Sequence, residues 1–234
     1  MMREIVEKGL ASWGLEAPEG ALDRLVRFGD QLMEKNKVMD LTALREPEQV
    51  AVRHLLDSLA LVRFLELEGK KVLDIGSGAG FPAMPVKLWC PKWDITALDS
   101  TAKRMDFVRE AAAEQGIEMK AVAARAEEWC AKNRGRFDLV TSRAVAPLNI
   151  LCELSLPYVK MGGLFAPMKS TTDAFGEELA AAKSAIAQLG GKLEKQEEYT
   201  LPVGSVHQVL IIRKVKDTPP QFPRRYSRIK AKPL

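Results

Sequence analysis

The stretch Lys71-Val-Leu-Asp-Ile-Gly-Ser-Gly-Ala-Gly-Phe81 constrains this chain more than any other. Val72, Leu73 and Ile75 suit a fully buried parallel strand, and the run carries an acid, Asp74, before opening into alternating glycines. Gly76, Gly78 and Gly80 let the backbone turn tightly and allow a ligand to approach it closely. The local structure expected is strand, glycine loop and helix, an arrangement suited to holding a nucleotide cofactor.

Spacing narrows the cofactor. A dinucleotide loop of the form G-x-G-x-x-G would place its third glycine at position 81, which here is Phe81, so the third glycine comes one residue early. The D-x-G-x-G-x-G loop resembles that of S-adenosylmethionine-dependent methyltransferases, in which an acid closes the next strand. The segment Trp93-Asp-Ile-Thr-Ala-Leu-Asp99 reads as that strand. Asp99, at its carboxyl end, can accept hydrogen bonds from both hydroxyls of a ribose.

At 234 residues and 47% hydrophobic, the chain can bury a full core. No apolar run is long enough to span a bilayer and the first residues lack a leader core, so a cytoplasmic protein is expected. Cys90, Cys130 and Cys152 are widely spaced and form no Cys-x-x-Cys pair, while His54 and His207 lack metal-ligand spacing. No metal is expected. The net charge of +4 is uneven: Arg213 to Leu234 holds eight basic residues and one acid, a net of +7, which leaves −3 for the remainder. Such a proline-broken tail, with Phe222 and Tyr226, suits phosphate contacts with occasional base stacking, and equally a solvated, partly disordered terminus.

The first 68 residues read as a helical cap, with helices over 21–38 and 50–65 separated by a joint that carries Thr42 and Pro47. Arg53, His54 and Asp57 fall within one helical turn, a spacing that favours a local structural hydrogen-bond network over a substrate-facing group. From residue 69 to 213 strands alternate with helices, the signature of an α/β, doubly wound sheet. Seven strands are expected, at 71–75, 93–98, 119–123, 137–142, 163–167, 193–200 and 206–213. The last two are joined by a connection short enough for a hairpin, so the sheet should be mostly parallel with an antiparallel last strand. Residues 214–234 form the basic tail.

A doubly wound sheet binds ligands at the carboxyl ends of its strands. Ala126 and Glu127, after the third strand, are placed to meet an adenine edge. After the fourth strand, Arg143 is the one charge in an apolar stretch and must be paired or solvated. Lys169, after the fifth, reaches the same edge.

The residues together are similar to the glucose-inhibited division protein B family, also called ribosomal RNA small subunit methyltransferase G. The resemblance runs through Asn36-Lys-Val-Met-Asp-Leu-Thr-Ala43, Arg53-His-Leu-Leu-Asp-Ser58, Asp74-Ile-Gly-Ser-Gly-Ala-Gly-Phe-Pro82, Leu98-Asp-Ser100, Arg125-Ala-Glu127, Ser142-Arg-Ala144, Phe222-Pro-Arg-Arg225 and Lys232-Pro-Leu234. It implies a Rossmann-like methyltransferase sheet and an enzyme that methylates N7 of a guanine in 16S ribosomal RNA with S-adenosylmethionine. Cofactor contacts would fall on Asp74, Gly76, Gly78, Gly80, Phe81, Asp99, Ala126, Glu127 and Arg143, with Arg143 also the candidate catalytic residue. RNA contacts would fall on Lys169, Arg224, Arg225, Arg228, Lys230 and Lys232, and the partner would be 16S ribosomal RNA or a small-subunit precursor, met by a monomer. Asp40 stands where the family usually has Asn, Ala83 where it usually has Gly, and Ser227-Arg-Ile-Lys230 where the tail is often Gly-Thr-Pro-rich.

Guanine N7 has a lone pair and no proton to remove, so in-line approach matters more than a general base. The chain agrees: it lacks an Asn/Asp-Pro-Pro-aromatic motif after the fourth strand and a Pro-Cys nucleophile. The alternatives from sequence are a methyltransferase on another RNA, a small molecule or a protein, a nicotinamide-dependent oxidoreductase, and a non-catalytic RNA-binding protein.

Overall fold

The computed structural model describes residues 1–66 and 69–234. The boundary expected at residue 68 lies outside the described residues. The chain begins with α1 (Met2–Ser12) and α2 (Ala21–Met39), followed by α3 (Pro47–Val50), a π-helical turn (Ala51–Leu56) and α4 (Asp57–Phe64). In α2 the residues Leu25, Phe28, Leu32 and Asn36 recur every three or four positions and form one buried stripe. The helix stops at Asp40, which adopts the left-handed conformation (φ 44°). Among non-glycine residues Asn and Asp tolerate that geometry best, so Asp can serve where Asn is usual.

Seven strands follow: β1 (Lys71–Ile75), β2 (Asp94–Asp99), β3 (Lys120–Ala123), β4 (Phe137–Arg143), β5 (Val159–Ser170), β6 (Gly191–Thr200) and β7 (Val206–Lys214). They form one sheet in the order β3-β2-β1-β4-β5-β7-β6, in which β7 alone runs antiparallel to its neighbours β5 and β6. The expected mixed sheet is present. β5 is longer than the 163–167 expected, because a register shift between Phe137 and Leu139 on β4 pairs Phe137 with Val159 and Leu139 with Leu164. Between the strands run α5 (Ala83–Trp89), α6 (Ala102–Glu114), α7 (Ala126–Asn133), α8 (Leu148–Ser155) and α9 (Phe175–Gln188).

Alternation along β1 divides the core. Val72 faces a cluster shared with the N-terminal helices and α6, including Leu25, Phe28, Leu55 and Phe107. Leu73 and Ile75 face a second cluster, built with Leu148, Leu151 and Tyr158 below and Ala182 and Ile186 from α9. The cap is thus one of the two layers that cover the sheet.

The basic tail folds back onto this body. Lys214 is buried, and its ammonium donates to the carbonyls of Leu156 (2.8 Å) and Leu189 (3.0 Å). Burial lowers its pKa to about 8. Arg134 donates to the carbonyls of Thr218, Pro219 and Phe222. Arg224 forms a two-pronged ion pair with Glu153, whose side chain is fully buried: Nη2 lies 2.6 Å from Oε2 and Nε lies 2.8 Å from Oε1. A short helix, α10 (Tyr226–Ala231), then buries Ile229 against Ile150 and Leu154.

Candidate active site

The glycine loop is tied to β2. The N–H groups of Gly76 and Ser77 donate to the Leu98 carbonyl at 2.8 and 3.1 Å. Asp99 then fastens the loop from the side, as its Oδ2 accepts from Gly78 N–H (3.0 Å) and its Oδ1 from Thr101 N–H (2.8 Å). Each carboxylate oxygen retains a lone pair for a ribose hydroxyl. Gly76 has φ 71°, and a Cβ there would lie 2.3 Å from Val145 Cγ2, so this position admits only glycine. Gly78 also has positive φ, but a Cβ there would meet nothing within 4 Å, which leaves its backbone open to an approaching group. Gly80 packs closely on Met84 instead.

Asp74 lies beneath the loop, fully buried. Its Oδ2 accepts from Ala83 N–H at 3.2 Å, whereas Oδ1 and the adjacent Ser77 hydroxyl make no hydrogen bond. Burial pushes its pKa up to about 7. Its place is to brace the first turn of α5, where it borders only a small cavity of about 10 Å³ beside Pro82 and Thr141.

A cavity of about 210 Å³ opens above the carboxyl ends of β1, β2 and β3. Of the expected cofactor residues, Gly76, Asp99, Ala126 and Glu127 line it, and Val145 and Tyr226 complete its wall. Asp74, Gly78, Gly80, Phe81 and Arg143 do not line it. Phe81 is buried and stacks on His54, with ring centroids 4.3 Å apart and planes 17° apart. The Arg143 guanidinium lies 5.4 Å from the centre of the Phe81 ring.

Arg143 is paired within the chain. Its Nη1 donates to Asp57 Oδ2 and to the Arg53 carbonyl, both at 2.6 Å, and its Nη2 is 3.0 Å from His54 Nδ1. Asp57 also accepts from the Tyr199 hydroxyl (2.7 Å) and lies 3.3 Å from His207 Nδ1. Burial would raise the Asp57 pKa, but the His207 hydrogen bond and the Arg143 charge hold it down to about 2. Burial, reinforced by Arg143, lowers His54 to about 3, so the ring is neutral at pH 7. Nδ1 must then accept from Arg143, which leaves Nε2–H to donate to Thr42 Oγ1 at 2.7 Å. The π-helical turn over Ala51–Leu56 carries Arg53 and His54 into this network.

On the other side of Arg143 lies a larger cavity of about 930 Å³, lined by Arg53, His54, Arg143, Lys169 and His207 among others. Lys169 pairs with Glu178 at 2.6 Å. Arg143 and Ala144 line this cavity and Val145 lines the smaller one, so the exit of β4 separates the two.

The contributions of Tyr199 and His207 were not legible in the sequence, where neither stands near a motif, and Tyr226, beside the Phe222-Pro-Arg-Arg225 run, reads there as a base-stacking residue of the tail rather than as part of a cavity wall. The signal for His54 and Asp57 was present, in their spacing before the glycine loop, but not the partner that gathers them. Of the expected RNA residues, Arg225, Arg228, Lys230 and Lys232 are exposed on or beside α10, whereas Arg224 is committed to Glu153.

Seven strands in this order, with a glycine loop and an acid-closed neighbouring strand at the point where strand order reverses, define the class: a Rossmann-like methyltransferase domain. Solved structures share the fold. A putative transferase from Pyrococcus horikoshii superposes with a TM-score of 0.57 at 16% identity, over 69% of this chain and 63% of that one. TYW2 of M. jannaschii, determined in complex with AdoMet, gives 0.54 at 13% identity over 65% and 72%. Residues 21–202 match the family described as rRNA small subunit methyltransferase G, and the chain belongs to it. Among curated relatives, ribosomal RNA small subunit methyltransferase G of Alkaliphilus metalliredigens is 40% identical over 98% of both chains. That of Lachnoclostridium phytofermentans is 42% identical over 93% of this chain and 91% of its own.

Proposed function

We propose that this protein transfers a methyl group from S-adenosylmethionine to N7 of a guanine in 16S ribosomal RNA. The observation that carries the reading is the pair of cavities divided by the exit of β4, one suited to a nucleoside cofactor and one large enough for a nucleotide of the substrate. The smaller cavity fits the cofactor: Asp99, which holds Gly78 beside it, offers carboxylate lone pairs to a ribose, and Ala126 and Glu127 offer an edge to adenine. Asp74 and Gly80 shape the loop from below, and Phe81 and Arg143 adjoin it.

S-adenosylmethionine, when bound, supplies an electrophilic methyl group on a sulfonium. The chain's own residues supply position. No general base is needed for N7, and the ionisable groups nearby are already engaged: His54 uses both ring nitrogens, and Asp57 accepts from Arg143 and Tyr199. Arg143 is the cation held at the boundary between the cavities, available to a carboxylate, a phosphate or guanine O6. Orientation of two reactants in a water-poor cleft contributes up to about 7–11 kcal/mol in favourable systems.

RNA would meet the exposed cations Arg225, Arg228, Lys230 and Lys232, with Lys169 at the mouth of the larger cavity. Both cavities are built from one chain, which favours action as a monomer, and a ribosomal RNA substrate favours a cytoplasmic enzyme. Among the described residues no helix is long and apolar enough to cross a membrane, and no cluster of side chains could hold a metal ion. The test is incubation with methyl-labelled S-adenosylmethionine and, in separate reactions, unmethylated small-subunit ribosomal RNA, cell protein and small-molecule extract. Label should enter the RNA, and an RNA fraction without label would overturn the reading.

A further inference from the structure

We propose that Tyr226, on the C-terminal helix α10, is a cofactor-binding residue that packs its ring against the adenosine portion of S-adenosylmethionine; the proposal rests on the smaller cavity being the cofactor site. Tyr226 lines that cavity on the side of Ala126, Glu127 and Leu154. It is the only aromatic side chain on the wall among the described residues. Adenine is a flat, weakly solvated ring, and an aromatic face is the side chain best matched to it.

The placement is enforced from two sides. Two residues before Tyr226, Arg224 clamps the chain onto the fully buried Glu153 of α8. Three residues after it, Ile229 is buried against Ile150 and Leu154 of the same helix. Residues three apart on a helix share a face, so fixing Ile229 turns Tyr226 toward α8 and the cavity. There its ring packs on the cluster that also holds Ala126 and Leu154, and the Arg125 guanidinium stands 5.9 Å from its centre. Arg228 and Lys230 face solvent from the same helix. One short helix therefore presents cations outward and a ring inward, and contact with a polyanion on the outside would press the ring onto the cofactor. This sets the terminal segment apart from a simple basic arm: it forms part of the cofactor pocket.

The test is calorimetric titration of S-adenosylhomocysteine into the full-length protein, comparing wild type, Tyr226→Ala, Tyr226→Phe, Ser227→Ala and Asp99→Ala. Tyr226→Ala should bind about tenfold or more weakly, Tyr226→Phe within about twofold of wild type, and the exposed Ser227→Ala like wild type. Asp99→Ala, which removes the ribose acceptor, should lose binding whatever Tyr226 does. If wild type and Tyr226→Ala bind alike while Asp99→Ala does not bind, the role of Tyr226 is overturned and the cofactor site stands. If wild type does not bind, the cofactor site itself falls. A measurement on wild type guards against a misfolded variant. The chain has three tyrosines, so selective ring labelling allows a search for nuclear Overhauser contacts between Tyr226 and adenine H2 or H8. Their presence supports the proposal, and their absence at saturation overturns it.

Discussion

Arg143 is a committed cation: Asp57, His54 and the Arg53 carbonyl hold its guanidinium. In sequence it reads as an isolated charge that needs a partner, and the partners come from an element nearly ninety residues earlier. That is why its need for a partner was legible and the identity of its partners was not. Arg143→Ala should lower methyl transfer at least about a hundredfold, as expected when a positioning charge is lost. It should also cost about 3–5 kcal/mol of stability, since a buried carboxylate is left with fewer partners. Kinetic assay beside denaturant melts checks both, and wild-type turnover would remove Arg143 from the site.

Asp74 teaches a different lesson at this scale. The loop pattern counts it among the cofactor residues, whereas burial places it under the loop with one oxygen unbonded. Its pKa in the folded state, about 7, lies above the ordinary carboxylate value. The folded state therefore holds a proton that the unfolded chain releases, so its contribution is fully present below about pH 4 and is lost as pH rises through 7. Asp74→Asn should accordingly gain thermal midpoint relative to wild type between pH 5 and pH 8. A difference that is flat with pH would contradict the shift.

Among the elements, the strands were the most legible and the tail the least. β1 and β2 carry short apolar runs bounded by turns, and these fix a buried strand whatever lies beside it. α10 was hidden by the prolines and charges around it, because what makes it a helix is tertiary. Its anchor, Glu153, lies seventy-one residues away in sequence. Charge counting likewise overstates the free cations, since Arg213, Lys214 and Arg224 bond within the chain. Arg224→Ala should cost about 3–5 kcal/mol by leaving Glu153 buried and unpaired, a loss visible in chemical denaturation. Replacing Arg225, Arg228, Lys230 and Lys232 together by alanine should instead weaken RNA binding. It should reduce the slope of log affinity against log salt by up to about 3, at roughly 0.7 per single-strand phosphate contact. An unchanged slope would remove the tail from the RNA interface.

At the scale of the molecule, one sheet separates two cores and brings the residues of the candidate site to one edge. The cap supplies His54 and Asp57, the parallel strands supply Asp99 and Arg143, the hairpin supplies Tyr199 and His207, and the terminal helix supplies Tyr226. Parallel order and the glycine loop follow from local patterns, whereas the meeting of cap, hairpin and tail over one edge depends on packing between distant segments. The central claim is that the joined site methylates guanine N7 of small-subunit ribosomal RNA. It is tested most directly by borohydride and aniline cleavage of unmethylated 16S ribosomal RNA after incubation with the protein and S-adenosylmethionine, since that chemistry breaks the strand at 7-methylguanosine. One new cleavage is expected at a single guanine, dependent on the cofactor and lost with Arg143→Ala. RNA that takes up methyl groups but resists cleavage, or takes up none, would contradict it.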